Sequence, residues 1–196
     1  RDPAHARNAV LAAMEMQEAL AVPQPKFAER GWPEVRIGVG LNTGAMSVGN
    51  MGSEFRMAYT VMGDAVNLGS RLEGLTQQYG AGIIVGERTQ QAAPGIVFRE
   101  LDRVRVKGKD EPTAIYEPLG AAGQIDQATL DELECFRQAL KLYRAQDWDA
   151  AEMRLLDLQK SSPGCALYPL YIERITHFRA HPPGVEWDGV FTFKTK

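Results

Sequence analysis

Asn67 and Arg71 stand four residues apart in Thr60-Val-Met-Gly-Asp-Ala-Val-Asn-Leu-Gly-Ser-Arg71, a stretch that turns at Gly63-Asp64 and continues with helical spacing. That spacing puts a carboxamide and a guanidinium on one helix face. Together they suit an anionic, sugar-bearing substrate near the start of the helix, because a planar guanidinium grips phosphate oxygens in pairs. Further on, Arg103, Arg105, Lys107 and Lys109 alternate with Val104 and Val106, so one strand face is uniformly positive and could meet phosphates. Both features also admit plainer roles. Asn67 could cap or back-bond, Arg71 could pair with Glu73 or a neighbouring chain, and basic strand faces are usually solvated.

Other constellations carry less. Gly38, Gly40 and Gly44 lack the spacing of a dinucleotide fingerprint and run into a strand where a helix should start, which favours a close-packed glycine-rich hairpin. His177 and His181 are four apart on a helix, but Cys135 and Cys165 are far from each other and neither sits in a zinc knuckle. No metal site is expected from residues of this chain. No Ser/His/Asp order and no Cys-X-X-Cys pair is present.

The elements that must hold these groups follow from periodicity. Val10, Ala13, Met14, Gln17 and Leu20 mark a first helix over Pro3–Leu20, ended by Pro23 and Pro25. Val35, Ile37, Val39 and Leu41 then alternate with Arg36, Gly38, Gly40 and Asn42, a strand with one apolar and one nearly bare face. Glycine on a strand face marks close approach of another backbone or a ligand. Thr43-Gly44 turns the chain back into Ala45–Gly49 as the second strand of a hairpin, and Phe55–Met62 is extended. Asp64 is the expected N-cap of a helix with Ala65, Leu68, Leu72, Leu75 and Tyr79 as its buried stripe, stopped at Gly80. A strand at Gly82–Val85, a short helix at Glu87–Ala93 and strands at Val97–Val106 and Pro112–Pro118 complete an α+β half. After the linker Gly120–Gly123, three helical patterns follow, built on Phe136 and Leu140, Trp148 and Leu155, and Tyr171 and Ile175.

Composition bounds the partners. The 196 residues are 44% hydrophobic and 24% charged, and 22 basic against 25 acidic residues leave −3, so bulk attraction to nucleic acid or an anionic membrane is disfavoured. Two cysteines suit a reducing cytosol. No apolar run reaches the about 18 residues that a spanning helix needs. The chain starts at Arg1 rather than Met, and a piece of a longer protein is expected.

Several segments in one order carry a resemblance. Arg36-Ile-Gly-Val-Gly-Leu-Asn-Thr-Gly44, Val48-Gly-Asn-Met-Gly-Ser53, Tyr59-Thr-Val-Met-Gly-Asp-Ala-Val-Asn67, Ser70-Arg-Leu-Glu73 and Val106-Lys-Gly-Lys109 resemble the class III nucleotidyl cyclase catalytic domain from about Asp2 to Leu119. The three helices resemble a tetratricopeptide pair plus one helix. With the ending Trp187-Asp-Gly-Val-Phe-Thr-Phe193 they resemble the C-terminal extension of bacterial cyclases with a membrane-embedded CHASE-type sensor. The implied organisation is the C-terminal part of a cyclase catalytic domain over 1–119, a linker over 120–124 and a helical extension over 125–196. The implied fold is an α+β, ferredoxin-like cyclase sheet without its first strands, followed by an all-α unit.

The resemblance implies an adenylate cyclase that joins the ribose 3′-hydroxyl of ATP to its own α-phosphate and releases pyrophosphate, at the interface of a homodimer. By match to the family motif, Asn67 positions the ribose, Arg71 stabilises charge on the transferring phosphate and Lys107 holds the terminal phosphates. Thr60 takes the purine-reading position, where threonine resembles the ATP-using subgroup. Mg²⁺ or Mn²⁺ is implied, on two aspartates that precede the first helix, since Asp2 and Glu34 are isolated; the chain by itself is then expected to be inactive. A cytoplasmic location below a membrane anchor and a regulatory protein at the helical extension are further expectations. Guanylate cyclase, or a non-catalytic cyclase-like dimerisation or regulatory module, is the alternative.

Overall fold

A computed structural model describes residues 2–53, 56–105 and 112–191. The chain forms two compact units, residues 1–96 with 116–118, and residues 97–115 with 119–196. The units follow contacts and cut the chain elsewhere than the boundary expected after residue 119, because the strand after Ile96 folds with the helices that come later.

In the first unit, α1 (His5–Ala21) buries Ala6, Val10 and Ala13, close to the expected stripe. A second helix, α2 (Gln24–Glu29), carries Pro25 in its first turn, where a proline forfeits no helical hydrogen bond. The expected strand over 35–41 shortens to β1 (Val39–Leu41). Residues 35–38 keep the alternating pattern but find no ladder. Their backbone is held by side-chain amides instead: Gln24 Nε2 donates to Val35 O (2.5 Å) and Gln17 Nε2 to Ile37 O (2.9 Å).

β1 does not form a hairpin with the segment that follows it. Its recorded partner is β4 (Ile83–Gly86), in parallel, while β2 (Ser47–Ser53) pairs antiparallel with β3 (Arg56–Met62) in a sheet of their own. Closing the short connection between β2 and β3 costs less chain entropy than a more distant pairing. In the first unit the sheet order runs β1, β4 and then residues 116–118 of β6 (Thr113–Ala121). Helix α3 (Asp64–Tyr79) starts one residue earlier than expected. Gly63, at φ 148°, is the cap residue, in a conformation that a side chain disfavours, and Asp64 opens the first turn where its charge complements the helix dipole. Leu68, Leu72 and Tyr79 are buried as expected, and α4 (Glu87–Gln91) follows β4.

In the second unit, β5 (Ile96–Val104) lies beside the remainder of β6. Three helices follow, α5 (Gln127–Arg144), α6 (Trp148–Ser161) and α7 (Leu167–Ala180), with α5 against α6 and α6 against α7. Asp126 and Asp147 cap the first two, accepting from the backbone N–H of Thr129 (2.7 Å) and Ala150 (3.3 Å). The core is aromatic: Tyr143 meets Tyr171 edge-on at 4.9 Å, and Phe178 meets Trp187 at 4.9 Å. Burial pushes the Tyr143 phenol well above its ordinary range, with the Arg174 guanidinium opposing. Among the described residues, no helix is long and apolar enough to cross a membrane.

Candidate functional site

The site is built from how α3 is seated. At Gly40 the helix and strand backbones meet without a side chain between them, since a Cβ there would lie 2.2 Å from Gly69 O and 2.4 Å from Glu73 N; just before the strand, a Cβ on Gly38 would lie 2.2 Å from the Thr76 side chain at Oγ1. The bare face of β1 is thus the face that receives the helix. Asn42, next in that row, donates from Nδ2 to Ala65 O (2.9 Å) and pins the first turn.

This seat fixes the roll of α3. Leu68, Leu72, Thr76 and Tyr79 point inward, so Asn67 and Arg71 stand on the exposed side, one turn apart. Asn67 is not the cap, since Gly63 fills that place and the Asn67 N–H donates to Gly63 O at 3.1 Å. The structure therefore places the carboxamide and the guanidinium on one face near the helix start, the arrangement that their spacing predicts. Thr60 is half-buried on β3, directly across from Gly49 of β2.

The basic strand face is different. Arg105 is paired with Asp188, and Arg103 Nε lies 4.0 Å from Glu100 Oε1, so these arginines have carboxylate neighbours. Lys107 and Lys109 lie outside the described residues.

The row of exposed apolar groups on the β2–β3 ribbon was not foreseen. Val48 faces Val61, with Tyr59 and Met57 on the same side by register, and Tyr59 is 76% exposed. The signal was the alternation of Met57, Tyr59 and Val61. Asn42 was also missed, though it stands in the glycine row.

A cleft of about 710 Å³ lies between α1 and the far half of α3, with Gln17, Gln24, Arg36, Thr76 and Gln77 in its wall; Thr60, Asn67 and Arg71 do not line it. His177 and His181 stack at 4.8 Å, and among the described residues no group of three or more His, Cys, Asp or Glu side chains could hold a metal ion.

Comparison with known proteins gives the arrangement a context. The family model for the adenylate and guanylate cyclase catalytic domain matches residues 1–116. Adenylate cyclase 1 of Rhizobium meliloti (strain 1021) is 34% identical over 126 residues, 64% of this chain and 19% of that protein. The adenylate cyclase of Anabaena cylindrica is 40% identical over 121 residues, 56% of this chain and 23% of that protein. The crystal structure of the adenylyl cyclase CyaB from P. aeruginosa superposes with a TM-score of 0.54 at 31% identity, covering 62% of each chain. That of the guanylyl cyclase Cya2 gives 0.53 at 33% identity, covering 62% of this chain and 61% of the other. The chain therefore spans less than two thirds of the length of each of these relatives. Those neighbours share its mixed α+β architecture, and the matched motifs include the segment that carries Asn67 and Arg71. The chain belongs to the adenylate and guanylate cyclase family, through the catalytic domain of that family.

Proposed function

We propose that this chain is the nucleotide-orienting part of a homodimeric adenylate cyclase, which converts ATP into 3′,5′-cyclic AMP and pyrophosphate. The observation that carries the reading is the exposed pair Asn67 and Arg71 on a helix whose roll is fixed by Gly38, Gly40 and Asn42. In the reaction the ribose 3′-oxygen attacks the α-phosphorus, loses its proton, and displaces the bond to the pyrophosphate oxygen. Asn67 orients the ribose for that attack. Arg71 meets the negative charge that grows on the α-phosphate oxygens, where a preorganised donor is worth most. Lys107 holds the terminal phosphates, and Thr60 reads the purine.

The divalent metal of such cyclases neutralises phosphate charge when bound. In this reading two aspartates hold it, and among the described residues no group of three or more His, Cys, Asp or Glu side chains could do so. Dimerisation is supported by the apolar side of the β2–β3 ribbon, since a contiguous exposed row of this kind marks a surface for association. We assign 1–119 to the catalytic domain, 120–124 to a linker and 125–196 to an extension whose first two helices form a tetratricopeptide-like pair.

The test is turnover by the intact protein with ATP and GTP offered separately in the presence of Mg²⁺ or Mn²⁺. Threonine at position 60 and relatives named adenylate cyclases predict a higher kcat/KM for ATP. The similarity to Cya2 makes GTP the competitor; preference for GTP reverses the substrate, and no cyclic product with either overturns the reading.

A further inference from the structure

The contact at Gly40 fixes the roll of α3, and the turn after β1 fixes where the helix begins. Asn42 Nδ2 donates to Ala65 O at 2.9 Å. A Cβ on Gly44 would lie 2.5 Å from the Ala65 Cβ, and one on Gly63 would lie 3.2 Å from Ala45 O. Residues 42–45 thus close around residues 63–65, the cap and the first two residues of α3.

The turn is itself braced by α4. Thr89, only 1% exposed, brings its Oγ1 to 3.0 Å from Thr43 Oγ1 and donates to Leu41 O at 3.4 Å. With its proton given to Leu41 O, Thr89 accepts from the Thr43 hydroxyl. The residues on both sides of Asn42 are therefore tied to one buried side chain. The Asn42 amide is enclosed as well, since a Cβ on Gly86 would lie 2.6 Å from Asn42 Oδ1. Gly86 has φ −77° and ψ 160°, a backbone that any residue adopts, so what the glycine provides there is room for the amide.

Helix geometry carries this bond to the candidate site. Asn67 and Arg71 lie about 200° and 240° round the axis from Ala65, on the side away from the strand. A slide or tilt of the first turn moves both groups with it. We infer that Asn42 is a positioning residue for Asn67 and Arg71, with Thr43 and Thr89 as its brace. It holds the first turn of α3 at one height on β1, so that the carboxamide and the guanidinium stand where the ribose and the α-phosphate arrive, and it touches neither. This inference deepens the reading of α3 as the nucleotide-facing helix and rests on it.

The experiment uses the intact cyclase carrying Asn42→Asp, which keeps the shape of the side chain and removes the donor to Ala65 O. It is made in the parent and in the Arg71→Ala background. Turnover of ATP is measured beside calorimetric binding of a non-cyclisable ATP analogue. In the parent, kcat is expected to fall about tenfold, as it does for residues that act through others, with analogue affinity within about twofold. In the Arg71→Ala background the same substitution is expected to cost less than about threefold, because the guanidinium it would misplace is gone. A purely structural role would give no such coupling. Unchanged kcat in the folded variant overturns the inference, as does a matching loss of analogue affinity or a full tenfold loss that persists without Arg71. If Asn42→Asp prevents folding, Gly86→Ala, whose methyl displaces the Asn42 amide, is put through the same comparison. Arg71→Ala alone separates the two levels. If it lowers kcat while the Asn42 variant does not, the positioning role alone falls; if it leaves kcat unchanged, the reading of α3 falls and the positioning role with it.

Discussion

Arg71→Ala in the intact enzyme lowers kcat by about 10²–10³, the scale of losing one preorganised donor to a transition-state charge. The size follows from where the guanidinium stands. Arg71 is exposed on α3, one turn beyond Asn67, on a helix whose backbone cannot roll without colliding with β1. A donor held that firmly has little reorganisation left to do when charge develops on the α-phosphate, so its removal acts on the barrier more than on binding. Nucleotide affinity is accordingly expected to change far less than turnover. Steady-state kinetics with an independent binding measurement checks this; a matched rise in KM with kcat unchanged would place Arg71 in ground-state binding alone. Because the side chain is on the surface, the variant should fold like the parent.

Gly40→Ala has the opposite character: it leaves every chemical group in place and removes their support. A methyl at residue 40 would sit 2.2 Å from Gly69 O and 2.4 Å from Glu73 N, both backbone atoms that no rotamer change can move aside. Either α3 lifts from β1 or the strand shifts, and both open the layer in which Leu68 and Leu72 are buried. The expected loss is on the order of 3 kcal/mol, the upper part of the range for overpacking a close-packed core. Thermal or denaturant unfolding measures it. A variant that unfolds at the same midpoint as the parent would show that the helix is not seated on this strand.

The seat of α3 was legible because it depends on short-range pattern. A 3.6-residue stripe from Leu68 to Tyr79 and a glycine row at two-residue spacing each state one half of a helix–strand contact. The helices α5 to α7 were legible for the same reason. The length of β1 was not. Val35 and Ile37 have the right alternation, but a ladder requires a partner at the correct height, and here Gln17 and Gln24 take the backbone groups instead. Alternation reports which face a residue would occupy and is silent on whether a neighbouring strand exists.

Charge was the least legible property. Arg103, Arg105, Lys107 and Lys109 read as one open basic face, yet Arg105 meets Asp188 and Arg103 lies near Glu100. A carboxylate 83 residues away leaves no local signature beside the arginine. The same holds for Asp102 and Arg174, whose burial follows from the packing of α7 on β5 and not from any motif around either residue. Asn67 and Arg71 were easier to place, since both lie on one helix and a single periodicity decides their face.

The most direct test of the account is a structure of the intact cyclase with a non-cyclisable ATP analogue bound. The exposed face of α3 should then meet the nucleotide, with the Asn67 carboxamide at hydrogen-bond distance from the ribose and the Arg71 guanidinium against the α-phosphate. A nucleotide bound elsewhere, with that face of α3 bare in both protomers, would contradict it.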